Sequence, residues 1–142
     1  MNKLNDFTLL LFRVTIGSFM LFGHGLGKFT KLVSGNEIQF FDPFGIGSLF
    51  SFILIILAEF LAASFIILGV FTRLNALLLI AAMTVAGLIY HFDDPFSSKE
   101  KALMYLVSFI FLFLAGPGKY SLQKFLPDKL THQKNPWKFI LS

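Results

Sequence analysis

The chain has 142 residues, of which 56% are hydrophobic, 14% are charged and 20 are phenylalanine, and its mean hydropathy is +0.75. A soluble domain of this length covers its core with a charged shell that this composition does not supply, so the chain reads as a membrane protein. The lack of cysteine excludes disulfides, thiolate metal sites and dithiol redox chemistry carried out by the chain itself. The net charge of +4 points to anionic lipid head groups rather than nucleic acid, because the lysines sit beside apolar runs and no nucleic-acid motif accompanies them.

The first apolar run, about 7–28, follows Lys3 as the core of a signal peptide would. It is interrupted by Arg13, runs long and ends in GHGLGK rather than at a small-residue cleavage site, which makes it a retained transmembrane helix. Arg13, Gly17, Met20, His24 and Lys28 recur in steps of three and four, and Arg13 and His24 are close to three full turns apart, so this stripe is expected to face the interior of a bundle. Gly23, Gly25 and Gly27 permit close helix approach or local backbone opening near His24. They form no dinucleotide loop, since no strand precedes them.

TKLVSGNEIQFFDPFGIGS then breaks regular structure with its Gly, Pro, Asn and Asp. The second run, about 49–69, carries Glu59 roughly ten residues from either end, near the bilayer midplane at about 1.5 Å per residue. A charge at this depth costs at least ~2.5 kcal/mol on insertion scales, so a buried partner is expected. Arg13 lies roughly 9 Å deep against roughly 15 Å for Glu59, a gap that an arginine side chain bridges, and is the expected partner. The pair is read either as a salt bridge that fixes helix register or as functional machinery.

GVFT leads through a tight turn into the third run, about 73–91, which Arg73 opens as a topology anchor with its head at the interface. Ala62, Ala63, Ala81, Ala82, Ala86 and Gly87 look like helix-contact positions, and Tyr90 and Tyr105 like interface or packing aromatics. HFDDPFSSKE follows, with Asp94 before Pro95 as a stop and Ser97 or Ser98 as N-cap of the fourth and shortest run, about 100–116. After GPG at 116–118 comes a lysine-rich tail, 119–142, in which Trp137 and Phe139 rest at the interface and His132 is solvated.

Residues 1–118 thus form one domain of four spans. With the alternation of a β-barrel missing, the expected fold is all-α, an integral membrane four-helix up-down bundle. Lys3, Arg73, Lys119, Lys124, Lys129, Lys134 and Lys138 fall on one side, and Lys28, Lys31, Lys99 and Lys101 on the other. The bias puts both termini in the cytoplasm. His24, Lys28, His91, Asp93, Asp94 and Glu100 then gather at an outer mouth. It reads as a solvated rim, as a metal site for which HFDD lacks ligand spacing, or as a polar dock for a quinone head group, with the apolar bundle holding the isoprenoid tail.

RVTIGSFMLFGHGLGK, AEFLAASFIILGVFTR and EKALMYLVSFIFLFLAGPGKYSL, in this order and spacing, resemble the DoxX family of small four-helix bacterial membrane proteins over roughly residues 7–124. The resemblance implies a bacterial inner-membrane four-helix bundle. For some relatives it implies a part in quinone-linked oxidation of sulfur compounds such as thiosulfate, and for others a membrane anchor in thiol-redox or oxidative-stress complexes. Arg13, His24, Lys28, Glu59, Arg73 and Glu100 match the family-type polar positions.

The leading expectation is a quinone-linked redox subunit or membrane anchor of an oxidoreductase complex, and not a stand-alone thiol enzyme. Glu59, Arg13 and His24 form the catalytic set, and His24, Lys28, His91, Glu100 and Arg73 the quinone-binding set, with no metal site. No residue here carries electrons between substrates, so a redox partner subunit is required. The expected partners are otherwise the lipid bilayer and a second copy of the chain. The alternatives are a structural or assembly protein whose buried Arg13–Glu59 pair specifies packing, or a small-solute or proton carrier gated by that pair.

Overall fold

Inside a bilayer a peptide group finds hydrogen-bond partners only within its own helix or barrel, and the apolar runs of this chain close into helices. The computed structural model describes residues 3–35, 37–126 and 139–140, and no strand occurs among them. Helix α1 joins an α segment, Lys3–Met20, through a π-helical turn, Leu21–Gly25, to a second α segment, Leu26–Val33. It runs five residues beyond Lys28. The Thr30 hydroxyl donates back to Leu26 O at 2.9 Å, and the helix stops at Gly35, whose φ of +70° suits glycine.

Helix α2 comprises Ser48–Ile56, a π turn Leu57–Ala62 and Ala63–Leu68. Its start is set by Asp42, whose carboxylate accepts from Gly47 N–H at 2.6 Å, Ile46 N–H at 3.1 Å and the Ser51 hydroxyl at 2.8 Å. These bonds satisfy the amides of the N-cap Gly47 and of Ile46 before it. Helix α3 is Thr72–Thr84 continued by a π turn, Val85–Tyr90. The α2–α3 turn places Phe71 at φ +45°. That left-handed backbone is held by the Gln123 side chain, which accepts from Phe71 N–H at 2.9 Å, and by buried Asn75, which donates to Val70 O and Phe71 O at 3.0 Å each.

Helix α4, Phe96–Ala115, starts after Pro95 with no side-chain cap. The expected Ser97 or Ser98 cap is not used, because the proline lacks an N–H and fixes the entry itself. A 3₁₀ turn at Leu122–Phe125 follows. Among the described residues three helical stretches, Asn5–Val33, Ser48–Leu68 and Thr72–Tyr90, are long and apolar enough to cross a membrane. Helix α4 is 20 residues long but carries Lys99, Glu100 and Lys101 near its start, which leaves 102–115 as its uncharged stretch.

The four helices alternate in direction, each against the next, and α3 packs on α4 most extensively. The contact of α1 with α2 is tight because small residues meet backbone: a Cβ on Gly17 would lie 2.8 Å from Ile67 Cγ1 and 3.3 Å from Ala63 O. Met20, Ala63, Ile66, Ala76, Leu79, Phe109 and Leu112 fill the core. Phe7, Leu11, Phe19 and Phe22 of α1 and Met104, Val107 and Leu114 of α4 point outward, where a membrane protein meets lipid tails. Between α1 and α4 contact is thin, and includes the edge-on ring pairs Phe12–Phe111 at 5.1 Å and His24–Tyr105 at 5.6 Å.

The end of the bundle that holds the N-terminus is closed by arginines. Arg13, 1% exposed, donates through Nη1 to Pro117 O and through Nη2 to Tyr120 O at 2.8 Å. Arg73 donates through Nε to Phe113 O at 2.9 Å and through Nη2 to Leu114 O at 3.4 Å, and stacks 4.1 Å from the Phe139 ring centroid. Both guanidinium groups thus satisfy carbonyls at or just beyond the end of α4, where the helix presents its negative pole. Lys119 adds an ion pair to buried Asp6 at 3.2 Å, a charge contact without aligned hydrogen bonding. Arg73, expected as a topology anchor with its head at the interface, lies at this end of the bundle, and its guanidinium caps the end of α4 there. The first residues after GPG fold back rather than trail away, since Ser121 is buried and Gln123 N–H donates to Gly69 O at 3.2 Å. The placements of Trp137 and His132, and the side-chain positions of Lys129, Lys134 and Lys138, lie outside the described residues.

Candidate functional site

Each of the three π turns inserts an extra residue into its helix, and the first two, in α1 and α2, pack against one another. Residues in or beside them, including His24, Glu59 and Ala86, line the same cleft. Such turns redirect side chains and recur at functional sites. Here α1 and α2 approach at theirs. Gly25 is buried, and a Cβ on it would lie 2.2 Å from Glu59 O and 2.6 Å from Glu59 C. Only glycine fits between those backbones, whereas Gly23 and Gly27 face open space.

The cleft occupies about 830 Å³ and extends to the bundle end opposite the N-terminus, where residues within 39–44 and Tyr90, His91, Ser97 and Ser98 border it. Its walls are largely apolar, with Leu54, Leu57, Leu78, Ala82 and Val85 among them, and Phe40, Phe41 and Phe44 of the α1–α2 connection border it. Phe41 meets Tyr90 edge-on at 5.0 Å. Polar side chains interrupt these walls. Lys28 donates to Glu59 Oε2, with side chains 24% and 5% exposed respectively. His24, one turn before Lys28, lies against Tyr105, which stacks on Phe109 at 6.0 Å. At the rim His91 Nδ1 meets Asp94 Oδ2 at 2.6 Å.

Glu59 therefore has a cation, but it is Lys28 and not Arg13. The Arg13 Nη1 atom sits 2.4 Å from where a Cβ on Gly69 would be. Gly69 is ten residues beyond Glu59, about 15 Å along α2. The physical reason is direction: a long cationic side chain bends toward the nearer membrane face, where Pro117 and Tyr120 offer carbonyls. Lys28, which sequence alone places at a helix end, is instead inside α1. Of the expected site residues, His24, Lys28, Glu59 and His91 border one cleft, Glu100 is exposed on α4 away from it, and Arg13 and Arg73 close the other end. Lys101 and Tyr105 also line the cleft. Their spacing of four on α4 was the available signal, while the π turns left none. Among the described residues no three of His, Cys, Asp and Glu gather as metal ligands.

An all-helical bundle with a lipid-facing apolar exterior and an internal cleft bearing one buried ion pair is an integral membrane protein of the small multi-helix class. More particularly, the chain belongs to the DoxX family, whose model matches residues 8–92 and so takes in His24, Lys28, Glu59 and His91. It is also similar to the inner membrane protein YqjF of Escherichia coli (strain K12), 28% identical over 135 residues that cover 91% of this chain and 99% of that relative. No solved structure matches. Family and relative together support an inner-membrane location.

Proposed function

We propose that the chain is the quinone-binding membrane subunit of an oxidoreductase complex, with both termini in the cytoplasm and the cleft open toward the outer side of the inner membrane. One observation carries this reading: a largely apolar cleft of ligand size whose lining holds the Lys28–Glu59 ion pair with His24 one turn away. A ring with carbonyl oxygens and an isoprenoid tail has the same division. His24 and Lys28 are the donors within reach of a head group, and Leu54, Leu57, Leu78 and Val85 form the walls for a tail.

A quinone supplies two-electron, two-proton chemistry when bound. The chain itself holds and moves the protons. Glu59 Oε2 is engaged by the Lys28 ammonium, and a shift of Nζ toward a ligand oxygen frees that carboxylate oxygen to take or release a proton. His24 stands one turn away on the same face as a second site for that proton. The chain has no cysteine, so electrons reach the site from a cofactor on a partner subunit.

Purification in mild detergent, followed by solvent extraction and mass spectrometry, tests the reading. The expected result is quinone near one per chain in the wild type, with loss in Glu59→Gln or His24→Gln at unchanged protein level. Absence of quinone, together with no protection of Glu59 from a carbodiimide by added quinone, refutes it.

A further inference from the structure

The cleft of the proposed function has an α4 wall that lies outside the matched family region, residues 8–92. That wall presents Lys101 and, one turn on, Tyr105. The charges in the lining do not balance. Lys28 and Lys101 are its cations and Glu59 its carboxylate, and Lys28 and Glu59 satisfy one another. His91 is engaged by Asp94 at the rim. Lys101 makes no ion pair or hydrogen bond among the described residues, yet its charge acts on His24, as do those of Lys28 and Glu59. An ammonium at the edge of an apolar cleft attracts a counter-charge more strongly than one in bulk water, because the walls lower the local dielectric.

We propose that the cleft selects an amphiphile with a single apolar tail and an oxyanion head, such as a carboxylate or an ionised ring hydroxyl, and that Lys101 is the specificity-determining residue. This rests on the reading of the cleft as a ligand site, and narrows its ligand from any quinone-like molecule to one with an acidic head. The tail requirement follows from the walls: the apolar lining gives a small hydrated anion too few partners to replace its water. The head requirement follows from Lys101, since a charge-assisted hydrogen bond is roughly twice as strong as a neutral one. The cleft is one apolar compartment of about 830 Å³, so the ligand assigned to it is a single-chain acid rather than a two-chain membrane lipid.

The test compares dodecanoate, 1-dodecanol and an uncharged short-chain benzoquinone by titration calorimetry on the full chain in dodecyl maltoside at pH 8, against protein-free micelles. Dodecanoate is expected to bind about tenfold or more tightly than 1-dodecanol. Lys101→Gln is expected to erase that ratio and Lys101→Arg to keep it, while benzoquinone binding changes less than about twofold. Lys101 is exposed, so the variants fold as the wild type does, which size-exclusion profiles check. Equal binding of acid and alcohol, or a preference that survives Lys101→Gln, overturns the proposal while benzoquinone binding leaves the site reading intact. Displacement of dodecanoate by phosphatidylglycerol at equal concentration overturns the single-chain assignment. Binding of every probe to an Ala82→Trp variant, whose cleft is filled, refutes the site reading itself.

Discussion

A double-mutant cycle around Glu59 separates the two cations that the sequence offers it. With Glu59 5% and Lys28 24% exposed, Lys28→Gln leaves a nearly buried carboxylate without its counter-charge. Breaking such a pair costs 3–5 kcal/mol when both partners are fully buried, and the partial exposure of Lys28 sets the expectation at about 3 kcal/mol. Glu59→Gln removes the demand for a cation, so Lys28→Gln in that background costs much less, and the coupling energy is at least about 1.5 kcal/mol. Arg13 lies fifteen residues before Lys28, about 22 Å along α1, and shares no partner with Glu59. Its coupling with Glu59 is therefore within about 0.5 kcal/mol, although Arg13→Gln alone is destabilising because Pro117 O and Tyr120 O lose their donor. The assay is equilibrium unfolding in mixed micelles of dodecyl maltoside and dodecyl sulfate, followed by helical circular dichroism, on the three single variants and the two doubles with Glu59. Coupling below about 0.5 kcal/mol for Lys28, or larger coupling for Arg13 than for Lys28, refutes the assignment.

Three further outcomes are expected. Gly25→Ala drives a Cβ into the Glu59 carbonyl at 2.2 Å and abolishes the monodisperse species in size-exclusion chromatography, whereas Gly23→Ala and Gly27→Ala, which meet open space, change stability by no more than about 1 kcal/mol. Gly69→Ala combines a φ of +71° with a Cβ 2.4 Å from Arg13 Nη1, so it costs more than the ~1–2 kcal/mol of left-handed backbone alone and raises protease cleavage within 116–126. The Asp42 carboxyl is held below its usual range, chiefly by Gly47 N–H and further by Ser51 and the Ile46 and Phe44 amides. A depressed folded-state value means its stabilisation is full above the ordinary pKa of 3.8 and is lost as pH falls below it. Amide exchange at Ile46 and Gly47, corrected for intrinsic rate, accelerates in acid in the wild type and lacks that step in Asp42→Ala.

The fold was largely legible because lipid leaves so few options. Runs of apolar residues long enough to span, without alternation, imply helices, and short connections imply antiparallel neighbours. The stripe through Arg13, Gly17, Met20, His24 and Lys28 was readable for the same reason: the first three are buried and the last two half-buried. Pairing across helices was not readable. It depends on where α1 ends, and the polar KFTKLV continues the helix to Val33. It also depends on side-chain direction, which sent Arg13 toward the chain end and Lys28 toward the midplane. The π turns shift the phase of α1, α2 and α3 by one residue where they line the cleft, and no propensity marks them. Lys101 and Tyr105 carried a weak signal, an i, i+4 pair on an otherwise apolar helix, easily read as solvated rim and packing aromatic.

The Arg13 contacts bear on how the chain is made. Its acceptors lie 104 and 107 residues downstream, so as synthesis proceeds α1 enters the bilayer before the groups that neutralise its guanidinium exist. A lone arginine inside a span is costly. Until residues 117–120 emerge and fold back, that charge lacks the carbonyls that accept from it in the finished bundle. The bundle is thus fastened last at the end where it began, and a chain truncated before Pro117 retains its cleft-lining residues but lacks the acceptors that make its first helix stable in lipid.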